Sequence, residues 1–246
     1  MKSFSLFAAA VAMVCVCEAA SEAANSARDA ARQYGAAVRN CDMAWAVDSM
    51  YPPLRRTYAD QLTSRTREAE IARARRVQGL DRETVVEAKA RMAANDKALR
   101  AKYARMGEEM KQRGIEVESY TVGDATAEYV VTPPMAAVSQ VRRDTAGRVR
   151  AENIGTTKER SRIVVLPTTL VISAPTQGGR RTRMERKSYI FAVRDEVITD
   201  KSQPRGTVLN KWYFIDGKTD VNTLRTFFPD LPLYLRLPAS GDRILP

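Results

Sequence analysis

The sequence contains no histidine and only 3 cysteines among 246 residues. Without imidazole there is no Ser-His-Asp or Cys-His nucleophile pair and no His-ligated zinc. Two of the cysteines, Cys15 and Cys17, fall in the N-terminal apolar segment. If that segment is removed, Cys41 stands alone, so neither an internal disulfide nor a Cys-rich metal site can form. The phosphate loop G-x-x-x-x-G-K-[ST] and the fingerprint G-x-G-x-x-G are both missing. Gly178-Gly179 reads only as a hairpin turn. Accordingly the sequence nominates no catalytic residue, no metal ligand and no cofactor. Beyond the N-terminus no apolar run approaches the ~20 residues that a membrane-crossing helix needs.

The N-terminus has the pattern of a signal peptide. Lys2 supplies the positive end, Phe4 to Val16 is apolar or small apart from Ser5, and small residues follow at Ala19, Ala20, Ala23 and Ala24. An apolar core of about 7–15 residues fits secretion rather than anchoring. Cleavage after Ala19 or Ala23 satisfies the small-residue rule, and residues 1–19 are assigned to the signal. Cys15 and Cys17 raise lipidation as a lesser alternative, because Val14 and Val16 precede them where Gly, Ala or Ser is preferred. The expected location is therefore outside the cytoplasm, in the periplasm or secreted.

Charge is the most abundant feature. Lys and Arg number 40 against 29 Asp and Glu, a formal net charge of +11. Such a surface attracts anions. For an exported chain, lipid headgroups and acidic polysaccharide suit better than nucleic acid. The anion-binding candidates are three clusters: Arg73, Arg75 and Arg76; Arg142, Arg143, Arg148 and Arg150; and Arg180, Arg181 and Arg183.

The first half reads as helices and the second as strands, which argues α+β. A first helix is predicted from Asn25 or Ser26, with Tyr34, Val38 and Cys41 on one face. Asp42 caps a second short helix that ends at Pro52-Pro53, and Leu54, Tyr58 and Leu62 continue a third. Residues 64–113 form a helical insertion in which Asp81 caps a helix about 48 Å long. Its seam of Val85, Met92, Leu99 and Met106 lies on its own domain, or else against residues 64–78 or another chain. Period-two alternation starts at Ile115, with a turn at Gly123-Asp124 and a returning strand over 127–131. Residues 139–162 read as an Arg-rich exposed excursion. Strong strands are predicted over 162–173, 184–194 and 207–216, with Pro167 marking an edge or bulge. Trp212 and Phe214 share one face of the last strand, Tyr213 and Ile215 the other. The proline-broken stretch 227–238 should lie extended on the surface, and 239–246 is a tail. Residues 25–238 then form a single domain.

Three motifs carry a family resemblance: YGAAVRNCDMAWAVDSMYPPL (34–54), the pair IVVLPTTLVI (163–172) and RKSYIFAVRD (186–195), and KWYFIDG (211–217) followed by LRTFFPDLPLYLRLP (224–238). Together they resemble an uncharacterised group of exported bacterial proteins with the nuclear transport factor 2-like fold, the cystatin-like α+β cone. The resemblance implies N-terminal helices packed in a strongly bent antiparallel sheet. Relatives of that fold isomerise, cyclise or merely bind, so the fold leaves function open.

Within such a cone the aromatic residues Tyr34, Trp45, Tyr58, Tyr189, Phe191, Trp212 and Phe214 are the pocket candidates. Asp42, Asp48 and Asp216 are the carboxylates that position alone could recruit for acid–base work. The leading expectation is a non-catalytic envelope module contacting a protein partner or anionic surface. The alternatives are a carrier of a small apolar ligand and a carboxylate-based isomerase or cyclase-like enzyme.

Overall fold

The computed structural model describes residues 21–64, 67–78, 84–131, 139–143, 149–153, 160–176, 178–196 and 211–246. Residues 1–19, expected from the sequence to be a signal peptide, lie outside them. The helices are α1 (Glu22–Arg39), α2 (Met43–Asp48), α3 (Pro52–Thr63), α4 (Arg67–Val77), α5 (Val85–Gln112) and α6 (Val221–Phe227). The strands are β1 (Glu116–Val122), β2 (Ala127–Val131), β3 (Ser139–Arg143), β4 (Val149–Asn153), β5 (Arg160–Pro175), β6 (Arg181–Glu196), β7 (Tyr213–Asp216) and β8 (Gly241–Leu245). The fold is α+β with a six-stranded antiparallel sheet that is not closed.

A long hairpin organises that sheet. β5 and β6 pair along their whole length, from Arg160↔Glu196 to Pro175↔Arg181. Gly178 and Gly179 turn the chain with φ of +95° and +77°, a backbone region glycine enters without strain. In the half nearest this turn, β1 flanks β5 and β8 flanks β6. In the other half, β2 flanks β5 and β7 flanks β6. Ile163, Val164, Val165 and Leu166 are buried in succession because both faces of the sheet are covered there.

β1 and β2 do not form the expected hairpin with each other. Both run antiparallel to β5 along the same edge, one beyond the other. The interruption falls opposite Pro167. Its carbonyl accepts from the Gly123 amide at 2.9 Å, so the donor that proline lacks would have faced this side. Pro167 thus breaks the neighbouring strand while staying inside its own. A bulge between Val117 and Ser119 also shifts the alternation of β1, which turns the Tyr120 ring onto α1 beside Gly35.

Each face of the sheet has its own core. On one face Val164, Leu166, Ile190, Ala192, Trp212 and Phe214 meet the alanines of α1, Ala23, Ala24, Ala27 and Ala31. On the other, Ile163, Val165, Phe191, Val193 and Ile215 meet Tyr51, Leu54, Leu224, Phe228 and Leu231. The division between Trp212 with Phe214 and Tyr213 with Ile215 follows the strand alternation read from the sequence.

Several boundaries differ from expectation. α1 starts at Glu22, four residues early, because the Ser21 hydroxyl accepts from the Ala24 amide. α5 begins behind Thr84, which with Glu87 forms a reciprocal capping box; Asp81 lies outside the described residues. α5 packs on α2 and α3 through Leu99, which meets Val47 and Ala59. Residues 227–238 are not simply a surface strap: Phe228 is fully buried and Leu231 nearly so. Residues 239–246 include β8 rather than a free tail. The excursion contains the two-stranded β3–β4 sheet, and residues 160–162 belong to β5.

Candidate functional site

One cavity sits beside β7, where the N-terminal helices meet the sheet. The outer edge of β7 is covered by the α2–α3 connection. Phe214 donates to the Ser49 carbonyl at 2.8 Å and accepts from the Tyr51 amide at 3.0 Å. This parallel bridge brings Ala46 and Met50 of the α2 region against Phe214. Pro52 and Pro53, in the first turn of α3 where the missing donors cost nothing, start the helix that supplies Leu54 and Tyr58. α1 contributes Tyr34 and α5 contributes Tyr103. The turn after β7 closes the rim with Asp216, Lys218 and Thr219.

The cavity is partly open to solvent and has a volume of about 230 Å³. Tyr34 and Phe214 stack obliquely with ring centroids 5.0 Å apart. The Tyr34 phenol is pushed up to about 12, first by burial, then by the Asp216 charge and by Tyr103. Tyr103 is raised as well, by burial, Tyr58 and Asp216. At neutral pH both phenols therefore keep their protons and can donate. Asp216 shapes the turn: its carboxylate accepts from the Lys218 amide at 2.9 Å and its carbonyl from the Thr219 amide at 2.9 Å. A side chain at Gly217 would overlap Tyr189, so glycine is required there. Thr219 is 9% exposed, and its buried hydroxyl makes no hydrogen bond. An unmade bond of this kind costs about 1–3 kcal/mol unless something supplies a partner.

Of the seven aromatic candidates, Tyr34, Tyr58 and Phe214 line this cavity. The other four are elsewhere, because the sheet has two covered faces. Tyr189 and Phe191 belong to the opposite core, edge to face at 5.5 Å. Trp212 is buried under α1, donating to Ser26 at 3.0 Å with Arg194 over its ring. Trp45 is exposed on α2. Sequence reasoning missed Tyr103 and Thr219. Tyr103 sits on a charged helix with no visible pocket signal, and Thr219 is distinguished only by its lost hydrogen bond.

The arginine clusters separate. Arg183 is held bidentately by Glu118. Arg181 bonds Ser173 and the Gly114 carbonyl and pairs with Glu116. Arg180 is exposed at the hairpin turn. Arg142 and Arg150 face each other across the β3–β4 pair, with Arg143 opposite Val149; Arg148 lies outside the described residues. Arg73 and Arg76 line a second, open groove of about 600 Å³ between α3, α4 and α5. Arg75 is on α4 but does not line it.

The carboxylate candidates have structural partners. Asp42 caps α2 by accepting from the Trp45 amide. Asp48 pairs with Arg55 and Arg100. Asp216 is exposed at the rim. A fourth carboxylate, Asp195, is buried and accepts from Ser161 at 2.6 Å. Among the described residues no group of three His, Cys, Asp or Glu side chains is placed to hold a metal ion, and no helix is long and apolar enough to cross a membrane. No family model, curated protein or solved structure matches the chain.

Proposed function

We propose that the chain is an exported, non-catalytic binding protein that holds a small, mainly apolar ligand with one hydrogen-bonding group. The observation that carries this reading is the cavity itself: aromatic walls from Tyr34, Tyr58, Tyr103 and Phe214, with Asp216, Lys218 and Thr219 at the rim. Apolar walls with a few convergent polar tips are the usual composition of a small-molecule site. A dry cavity of about 150 Å³ holds benzene. One of about 230 Å³ suits a ligand slightly larger, on the scale of cresol or indole.

The nuclear transport factor 2-like assignment belongs to this proposal. In it the sheet bends around the N-terminal helices as a cone, and residues 64–113 are an insertion. Tyr103 then means that the insertion completes the chamber. Non-catalytic binding is favoured over acid–base chemistry because the rim carboxylate, Asp216, is exposed and already accepts from the Lys218 amide, which fixes the turn.

The test is titration of the full chain with para-cresol and indole, followed by nuclear magnetic resonance and thermal unfolding. Saturable binding that raises the melting temperature is expected. Two cavity-filling variants, Ala46→Phe and Met50→Trp, should abolish it while keeping a cooperative unfolding transition. If neither probe binds, or both bind the filled variants as well as the parent, the proposal is wrong.

A further inference from the structure

The groove between α3, α4 and α5 is separate from the tyrosine cavity and has the opposite chemistry. α4 offers it one face: Ala69, Ala72, Arg73 and Arg76, spaced at three, four and seven residues. The two alanines leave room and the two arginines reach in. From α5 come Arg91 and Asn95, one turn apart; from the end of α3 come Asp60, Thr63 and Ser64. Asp60 is already engaged, accepting from Asn95 at 2.8 Å and pairing with Arg91 at 3.6 Å. Among the described residues Arg73 and Arg76 make no ion pair. Among the described residues that line the groove there are three guanidinium groups and one carboxylate, and that carboxylate is engaged by Arg91 rather than by Arg73 or Arg76. The C-terminal end of α3 adds about half a negative charge, which does not offset the excess.

α4 has no apolar stripe that would dictate this placement, and Ile71 on it is 52% exposed. Arg73 and Arg76, like charges one helical turn apart, repel each other, so an anion between them would stabilise the arrangement. Guanidinium forks match oxyanions bidentately.

We propose that this groove is a binding site for a phosphate-type oxyanion, held by Arg73 and Arg76 on one wall and faced by Arg91 from the other. The phosphate could be carried by a dissolved ester or by a lipid headgroup. The chemistry at the groove is the same for both.

The experiment uses the full chain, with inorganic pyrophosphate as one probe and phosphatidylcholine vesicles with and without phosphatidylglycerol as the other. Isothermal titration and vesicle co-sedimentation read binding at low salt. The double variant Arg73→Ala/Arg76→Ala is compared with Arg39→Ala/Arg105→Ala, which removes the same charge from exposed helix positions elsewhere. Losing two charge-assisted contacts should weaken binding on the order of a hundredfold. The control should change it less than about threefold, the weak effect of distant screened charge. The probe that shows this contrast identifies the source of the phosphate. If neither probe binds saturably, or both double variants lose binding equally, the groove is not an anion site.

Discussion

The ring of Tyr120 occupies the space that a side chain at residue 35 would need, and Gly35 is what admits it. This contact is part of the packing of β1 on α1 and reaches the cavity through Tyr34. Tyr120 lies edge-on to Tyr34 at 6.2 Å and 71°, and Tyr34 in turn stacks on Phe214. Substitution Gly35→Ala forces the methyl against the half-buried Tyr120 ring, which must shift to admit it. Overpacking of this kind costs about 1–3 kcal/mol. Urea unfolding should show a lower midpoint with an unchanged slope, and para-cresol binding should weaken in the same protein because Tyr34 is displaced.

The seam of α5 gives a sharper contrast. Met92, Leu99 and Met106 repeat every seven residues, yet Leu99 is 2% exposed while Met92 and Met106 are 37% and 39% exposed. Leu99→Ala should therefore cost about 2–5 kcal/mol, and Met92→Ala should stay within about 0.5 kcal/mol. Equal losses in equilibrium unfolding would mean that the whole seam is covered, as it would be by another chain.

What the sequence discloses depends on how burial is encoded. The β5–β6 hairpin was legible because Ile163 to Leu166 and Ile190 to Val193 are apolar without interruption, and only a doubly covered strand tolerates that. The buried stripe of α1 was not. It consists of Ala23, Ala24, Ala27, Ala31 and Gly35, residues that score weakly as apolar and whose value lies in permitting close approach. Prolines concealed the end of the chain: Pro229 and Pro232 suggest an extended strap, yet Phe228 and Leu231 beside them are core. At the cavity, three of the aromatic candidates converge because α1, α3 and β7 do. Tyr189, Phe191 and Trp212 were lost because the sequence does not say which covered face of the sheet borders the cavity, and Trp45 because α2 leaves it exposed.

The cap of α1 bears on processing. Ser21 accepts from the Ala24 amide at 3.0 Å and donates to Glu128 at 2.5 Å, and Ala23 and Ala24 are buried behind it. Signal cleavage after Ala19 keeps this cap, whereas cleavage after Ala23 removes it together with part of the α1 core. If the chain is exported as proposed, mass spectrometry of the mature protein should find Ala20 at the N-terminus. Ser21→Ala should lower stability by about 1 kcal/mol. A mature chain beginning at Ala24 would contradict both statements.

Thr219 separates a ligand site from a packing defect. Thr219→Val keeps the shape of the side chain and removes the hydroxyl. If a ligand supplies the missing hydrogen bond, para-cresol affinity should fall about tenfold while toluene affinity is unchanged. If no ligand does, the valine should bind both probes as the parent does, and the variant should gain stability from losing an unsatisfied polar atom.

Alkaline pH tests whether the cavity phenols are as enclosed as the geometry implies. The Tyr34 phenol is pushed up to about 12 from its ordinary value near 10, chiefly by burial and then by the Asp216 charge. Tyr51, Tyr103 and Tyr120 are raised in the same direction, each by burial first. In the unfolded chain these groups lose their protons near pH 10, while the folded protein still holds them. The unfolded state therefore binds fewer protons above that pH, and stability falls as pH rises. The stabilisation is complete below pH 10 and declines through about 12. Absorbance titration at alkaline pH should show a late, cooperative ionisation coincident with unfolding. Tyr34→Phe should reduce its amplitude and soften the loss of stability between those limits. Independent, early ionisation of every tyrosine in a still-folded protein would show that the rings around the cavity are open to water.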